Sequence, residues 1–192
     1  MTDTLTKLFG SETRVRLLRL FLFNPRQSIS LAEAAVRAQV KASEARQEIN
    51  LFMRLGLIER HPRRSPSRYG LAEDSPYIEA LQNLLLNAPT RAAEMPALLR
   101  SVGTLKLIVV AGIFVGQWDD ALDLLIVGDR IKERALLKKI KMLEAEVGKD
   151  VKFTSMSTAD FFYRLNLSDR LLRDVFDYPH RIVLDRLDIG LK

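Results

Sequence analysis

Apolar residues set a helical rhythm in the front of the chain and a strand-and-helix rhythm in the back. Within residues 30–60, Leu31, Ala34 and Ala35 recur at helical spacing, and Ser30 stands where a side chain caps the amino end. The chain then bends through Ala38, Gln39 and Val40. Ala45, Ile49, Phe52 and Met53 recur at i, i+4, i+7 and i+8, one face of a second helix. Gly56 after Leu55 suits a left-handed stop. The opposite face carries Lys41, Ser43, Glu44, Arg46, Gln47 and Asn50, side chains able to reach phosphates and base edges. A short helix of small residues under a longer polar-faced one can push the second into a major groove. A helical hairpin with a solvated face gives the same pattern, and the pattern by itself leaves both readings open.

Upstream, a helix starts at Glu12 with Val15, Leu17, Leu18, Leu20, Phe21 and Leu22 as its apolar set, and Asn24-Pro25 ends it. Arg14, Arg16 and Arg19 lie outside that set. They form either a solvated side or a phosphate contact. Downstream, residues 57–60 read as a short strand, HPRRSPSRYG as a basic turn, and residues 69–72 as a second strand. The order predicts a β-hairpin with Arg63, Arg64 and Arg68 placed to touch backbone or enter a minor groove. Ser75 and Pro76 are expected to cap and open a new helix. Tyr77, Leu81, Leu84, Leu85 and Ala88 form a stripe on it, and a second short helix follows from about Pro96. Residues 75–103 read equally as a stiff connector or a dimer seam, because a stripe this apolar needs a partner.

From residue 104 the rhythm changes. Residues 105–110 and 122–127 are apolar runs of strand length, and residues 131–147 form an amphipathic helix ended by Gly148. Residues 151–156 alternate as a strand, Thr158 and Ser168 are expected to cap two helices, and residues 181–184 form a last strand. Strands interleaved with helices around one small sheet make an α/β unit. The expected class is therefore α+β, with domains at 1–74, 75–103 and 104–192.

Charge sharpens this division. Of the net +6, residues 1–74 hold thirteen Lys/Arg against eight Asp/Glu, and residues 104–192 hold fifteen against fourteen. The positive field belongs to the front, where a polyanion would dock. There is no Cys, which removes disulfides and thiolate metal sites. His61 and His180 are far apart and have no acidic cluster beside them, so no metal site is expected. The longest apolar run, 107–116, is too short for a bilayer, which needs about 20 apolar residues. The expectation is a soluble cytoplasmic protein without a membrane partner.

The order of elements in residues 5–72, with GLIER and RYGLA framing the basic turn, resembles winged helix-turn-helix transcriptional regulators. The resemblance implies double-stranded DNA as partner and a homodimer as the assembly. Residues 105–185 resemble the minimal nucleotidyltransferase fold of the DNA polymerase β superfamily. That family has a strand, a Gly-Ser loop for the triphosphate, and a second strand opening Asp-x-Asp-Leu whose acids hold Mg²⁺. Here the strands read LKLIVVAG and ALDLLIVGD. The departures fall on the chemistry: Gly112 is followed by Ile113, the first acid is Ala121, and only Asp123 remains. The intervening loop, 114–120, is shorter than the family's, and Lys152 and Thr154 stand where a third acid is expected. Asp119 or Asp120 could substitute only through that shortened loop, and Trp118 on it could stack a base or simply pack.

The expected function is thus a DNA-binding regulator whose rear domain has kept a scaffold and lost its reaction, with no cofactor. Its degenerate cleft, marked by Gly112, Ile113, Ala121 and Asp123, is left for dimerisation or for a nucleotide or protein effector. The alternative is an active nucleotidyltransferase of antitoxin type with a DNA-binding appendage.

Overall fold

The computed structural model describes residues 4–61, 66–72, 74–86, 91–117 and 121–189. It is a mixed α+β chain that divides into two compact units, 1–88 with 141–150, and 89–140 with 151–192.

The first unit is built on α1 (Thr4–Phe9), α2 (Glu12–Leu22), α3 (Leu31–Ala38) and α4 (Ala42–Arg54). Ser11 caps α2 by accepting from the Arg14 N–H. Ser30 caps α3 within a full capping box, since Glu33 reaches back to the Ser30 N–H at 2.8 Å. Gln39 takes the left-handed conformation at φ +52 that turns the chain between the two helices. Leu17, Leu20, Phe21, Ala34, Ala45, Ile49 and Phe52 are almost fully buried in one core. Gly56, at φ +66, turns the chain out of α4 into β2 (Ile58–His61). β2 pairs antiparallel with β3 (Arg68–Leu71), and β3 also pairs with β1 (Ile29–Ser30), which the sequence pattern did not reveal. Two residues carry no periodicity, so only the β3 partner makes that strand visible.

The expected connector is divided between the units. α5 (Ile78–Leu86) starts two residues beyond the expected Pro76 and buries Ile78 and Leu85 in the first core. Gln82 of α5 donates to the Leu22 carbonyl at 2.8 Å. The outer edge of the expected stripe, Tyr77 and Leu84, stays exposed. A 3₁₀ turn (Arg91–Glu94) and α6 (Met95–Leu99) belong to the second unit, with Ala92, Met95 and Leu99 buried.

The second unit holds a four-stranded sheet. Its strands are β4 (Thr104–Val110), β5 (Leu124–Asp129), β6 (Phe153–Met156) and β7 (Arg181–Asp185), in the order β6-β5-β4-β7. β4 runs antiparallel to both β5 and β7, whereas β5 and β6 are parallel. A parallel pair needs a crossover, and α7 (Glu133–Val147) supplies it. Residues Leu107 to Val110 and Leu124 to Val127 have no exposed surface, so the two central strands are covered on both faces. Phe161 of α8 (Thr158–Asn166) and Leu172 and Val175 of α9 (Arg170–Phe176) close one side of that core.

Two expected caps move by one residue. Ser157, not Thr158, caps α8, because Thr158 gives both its N–H and its hydroxyl to the Asp129 carboxylate. Asp169, not Ser168, caps α9 by accepting from the Leu171 N–H, and Ser168 takes the left-handed turn at φ +51.

The end of α7 and its exit loop, 141–150, are part of the first unit. Asn24, a buried amide, donates to the Leu20 and Gly148 carbonyls, both at 2.7 Å. Arg19 donates to the Glu146 carbonyl at 2.9 Å. Gly148 lies so close to α2 that a Cβ there would stand 2.6 Å from the Arg19 Cβ.

Candidate functional site

α4 sorts its charges. Its two acids are both engaged: Glu48 is nearly buried and accepts a forked pair from Arg14, Nε to Oε2 at 2.8 Å and Nη2 to Oε1 at 3.2 Å. The same guanidinium donates to the Phe9 carbonyl at 2.8 Å. Glu44 accepts from the Thr13 hydroxyl at 3.1 Å and stands 4.0 Å from the Lys41 ammonium. Glu44 therefore stays on the solvent-facing side, 43 % of its side chain exposed, with one oxygen engaged by Thr13. Lys41, Ser43, Arg46, Gln47 and Asn50 are exposed. The side chains of Arg46, Gln47 and Asn50 have no hydrogen bond or ion pair among the described residues. Arg54, exposed at the end of the same face, extends it at i, i+4, i+8 from Arg46 and Asn50; that spacing was available in the sequence and would have found it.

The α2 arginines are internal ties and not a phosphate-binding row. Besides Arg14, Arg16 donates to the Ala38 carbonyl at 3.1 Å and pairs with Glu12, and Arg19 holds the Glu146 carbonyl. Each is a donor already committed to an acceptor in the first unit.

Of the hairpin arginines, Arg63 and Arg64 lie outside the described residues. Arg68 is a correction. It sits in β3 rather than at the tip, donates to the Ser28 carbonyl through Nε at 2.9 Å and through Nη2 at 2.5 Å, and pairs with Glu33 at 2.8 Å. The Ser30 N–H, and after it the Arg68 guanidinium, hold the Glu33 carboxyl below its ordinary range. Arg68 thus fastens the β1 corner to the capping box of α3. Arg60, by contrast, is exposed and bonds Ser67 across the hairpin at 2.6 Å.

In the second unit, Gly112, Ile113 and Asp123 come together, and their geometry is that of a staple. Asp123 is only 3 % exposed. One carboxylate oxygen accepts from the Ile113 N–H at 2.9 Å, the other from the Lys152 N–H at 2.7 Å. The Asp123 backbone is bonded on both sides, to Ala111 and to Lys152. Gly112 sits at φ +48, and a Cβ there would collide with Asp123 Oδ1. Glycine is required for both reasons. Ile113 is buried, and Ala121 is exposed without a ligand atom. Trp118, Asp119 and Asp120 lie outside the described residues.

Metal-assisted phosphoryl transfer needs carboxylate oxygens turned together onto the ions. Ala121 has none, and Asp123 turns one oxygen to each of two backbone N–H groups. Among the described residues no three His, Asp or Glu side chains gather as a metal would require. The described residues therefore do not fit a Mg²⁺ pair. Among those residues, too, no helix is long and apolar enough to cross a membrane. Comparisons with protein families, with curated proteins and with solved structures gave no match.

Proposed function

We propose that this protein binds double-stranded DNA through the outer face of α4 and acts as a transcriptional regulator. The observation that carries the reading is the sorting of α4: its acids are held by Thr13 and Arg14, and its outward side presents Lys41, Ser43, Arg46, Gln47, Asn50 and Arg54. Amides and guanidinium groups without internal partners are what base edges and phosphates take up. On this reading the first unit is a winged helix-turn-helix, α3 and α4 being its helical pair and β2–β3 its wing. The second unit is a nucleotidyltransferase-like scaffold whose remaining acid serves the fold. The engaged Asp123 carboxylate weighs against an active transferase. A homodimer goes with the reading, since two α4 helices about 34 Å apart would meet successive major grooves of a palindrome.

Selection of bound duplexes from a random pool, followed by titration of the selected site, tests this. Arg46→Ala, Gln47→Ala and Asn50→Ala together should weaken the selected site by at least about 2 kcal/mol, since a base contact contributes roughly 1–3 kcal/mol of discrimination. Binding of random duplex should change less. Equal affinity of variant and wild type for the selected site would refute the assignment of α4.

A further inference from the structure

Six arginines stand beside an acid: Arg14, Arg16, Arg37, Arg68, Arg164 and Arg170. Residues 130–139 gather cations without such partners. They hold five cations and one acid, Glu133. Arg130, Lys132, Arg134 and Lys138 are exposed, and no side chain among them has a hydrogen bond or ion pair to the described residues. The segment that carries them is nevertheless fixed. The Lys132 N–H donates to the Val102 carbonyl at 2.8 Å, Arg130 takes a left-handed φ of +54, and Gly103 lies where a Cβ would meet the Arg130 carbonyl at 3.0 Å.

The placement also opposes the field of α7 itself. The amino end of a helix is its positive end, so cations there are repelled, and Arg134 and Lys138 repel each other across one turn. The far end is reversed as well: its last turn holds Glu144 and Glu146 and no base. A helix arranged only for its own stability would carry these charges in the opposite order. An external polyanion removes the conflict.

The chemistry favours nucleic acid over a lipid surface. An interfacial helix needs a broad apolar face to enter the bilayer. On α7 the apolar residues Leu136, Ile140 and Leu143 are buried in the protein, and Leu137 is the exposed one. Arg134 and Lys138 are separated by about 6 Å of helix rise, roughly twice the ~3.4 Å axial step between phosphates of one strand.

We propose that Arg130, Lys132, Arg134 and Lys138 form a second polyanion surface that takes the phosphate backbone of a nucleic-acid duplex without reading its sequence. It is carried by the second unit and does not depend on the α4 assignment. The test is a salt series with the full chain and random-sequence duplexes, DNA and RNA in separate arms, comparing wild type with Arg130→Gln, Arg134→Gln and Lys138→Gln combined. The expected result is weaker binding, with the slope of log affinity against log salt reduced by roughly 2.7, at about 0.9 per lost phosphate contact. The melting temperature should hold or rise, because repulsion within the helix is removed. An unchanged slope overturns the proposal. So does a variant that melts lower and binds duplex as before, which would assign the cations to the fold, or one that loses only its affinity for phosphatidylserine vesicles. The α4 triple variant, run in parallel, separates the two surfaces: losing one cation, Arg46, it should change its random-duplex salt slope by at most roughly 0.9, against roughly 2.7 for the α7 variant.

Discussion

α4 and the Asp123 loop use their polar groups in opposite ways. Along α4 the acids are engaged, Glu48 by Arg14 and Glu44 by Thr13, and Arg46, Gln47 and Asn50 keep donors and acceptors directed at solvent. Around Asp123 the carboxylate is turned in and engaged, and Ala121, the neighbouring position of interest, has nothing polar to offer. Both places look polar in sequence. The contrast teaches that a candidate site is defined by the hydrogen-bonding capacity left after folding and not by the residue types present. A carboxylate that accepts two backbone N–H groups supports its loop; an amide with no internal partner remains available for recognition.

Removing the Asp123 carboxylate is the most severe way to break this contrast. Asp123→Ala strands the buried N–H of Ile113 and the part-buried N–H of Lys152 and should cost about 2–4 kcal/mol in urea unfolding, at roughly 1–3 kcal/mol for a buried group left unpaired and less for one that water reaches. Duplex affinity of the folded fraction should not change. A cost below about 1 kcal/mol would leave the staple without support. Glu48→Gln comes next. It weakens the forked pair with Arg14, whose side chain is a third exposed, so about 1–2 kcal/mol is expected rather than the full effect of a buried pair. Because Glu48 supports α4 from beneath, a loss of duplex affinity larger than the loss of stability explains would show that α4 itself had moved.

Glu33→Gln should have the smallest effect, and a pH dependence identifies it. The folded Glu33 carboxyl lies below its ordinary range because it accepts from Ser30 and pairs with Arg68. Its contribution is then complete above the unfolded carboxyl value of about 4.3, and is lost as pH falls through the folded one. Half of the side chain is exposed, so solvent screens the ion pair and the capping box sets the scale, about 0.5–1 kcal/mol near neutrality. Stability curves of wild type and variant, measured by urea titration from pH 7 to pH 3, should converge in acid. Parallel curves would mean that the charge of Glu33 adds nothing.

Much of the first unit could be read from residue pattern because its determinants are local. Ser30 with Glu33 three residues on, the i, i+4, i+7 series from Ala45 to Phe52, and Gly56 are each decided within a turn or two of helix. The outward residues Lys41, Ser43, Arg46, Gln47 and Asn50 follow from the same period. Some differences are local, as where Asp169 caps α9 in place of Ser168, but others involve a partner distant in sequence. Nothing near Glu44 announces its bond with Thr13, 31 residues earlier. Nothing beside Arg68 announces Ser28 and Glu33, which hold it away from the hairpin tip. Thr158 is engaged by Asp129, 29 residues away, and Ser157 caps the helix. The cationic ledge of residues 130–139 was masked by arithmetic, since acids elsewhere in the rear of the chain cancel it.

The sequence by itself determined the mixed α and β content, the helical pair with its hairpin, the apolar strands of the rear sheet and the glycine stops. Those depend on period, capping and φ, which neighbouring residues fix. Only the tertiary structure decided which polar groups stay available. It directed Arg14 to Glu48, Arg68 to Ser28 and both oxygens of Asp123 to the backbone, and it divided residues 75–103 between two units. A hydrogen bond or a buried stripe is satisfied by whatever surface the fold brings against it, and chain order does not contain that distance.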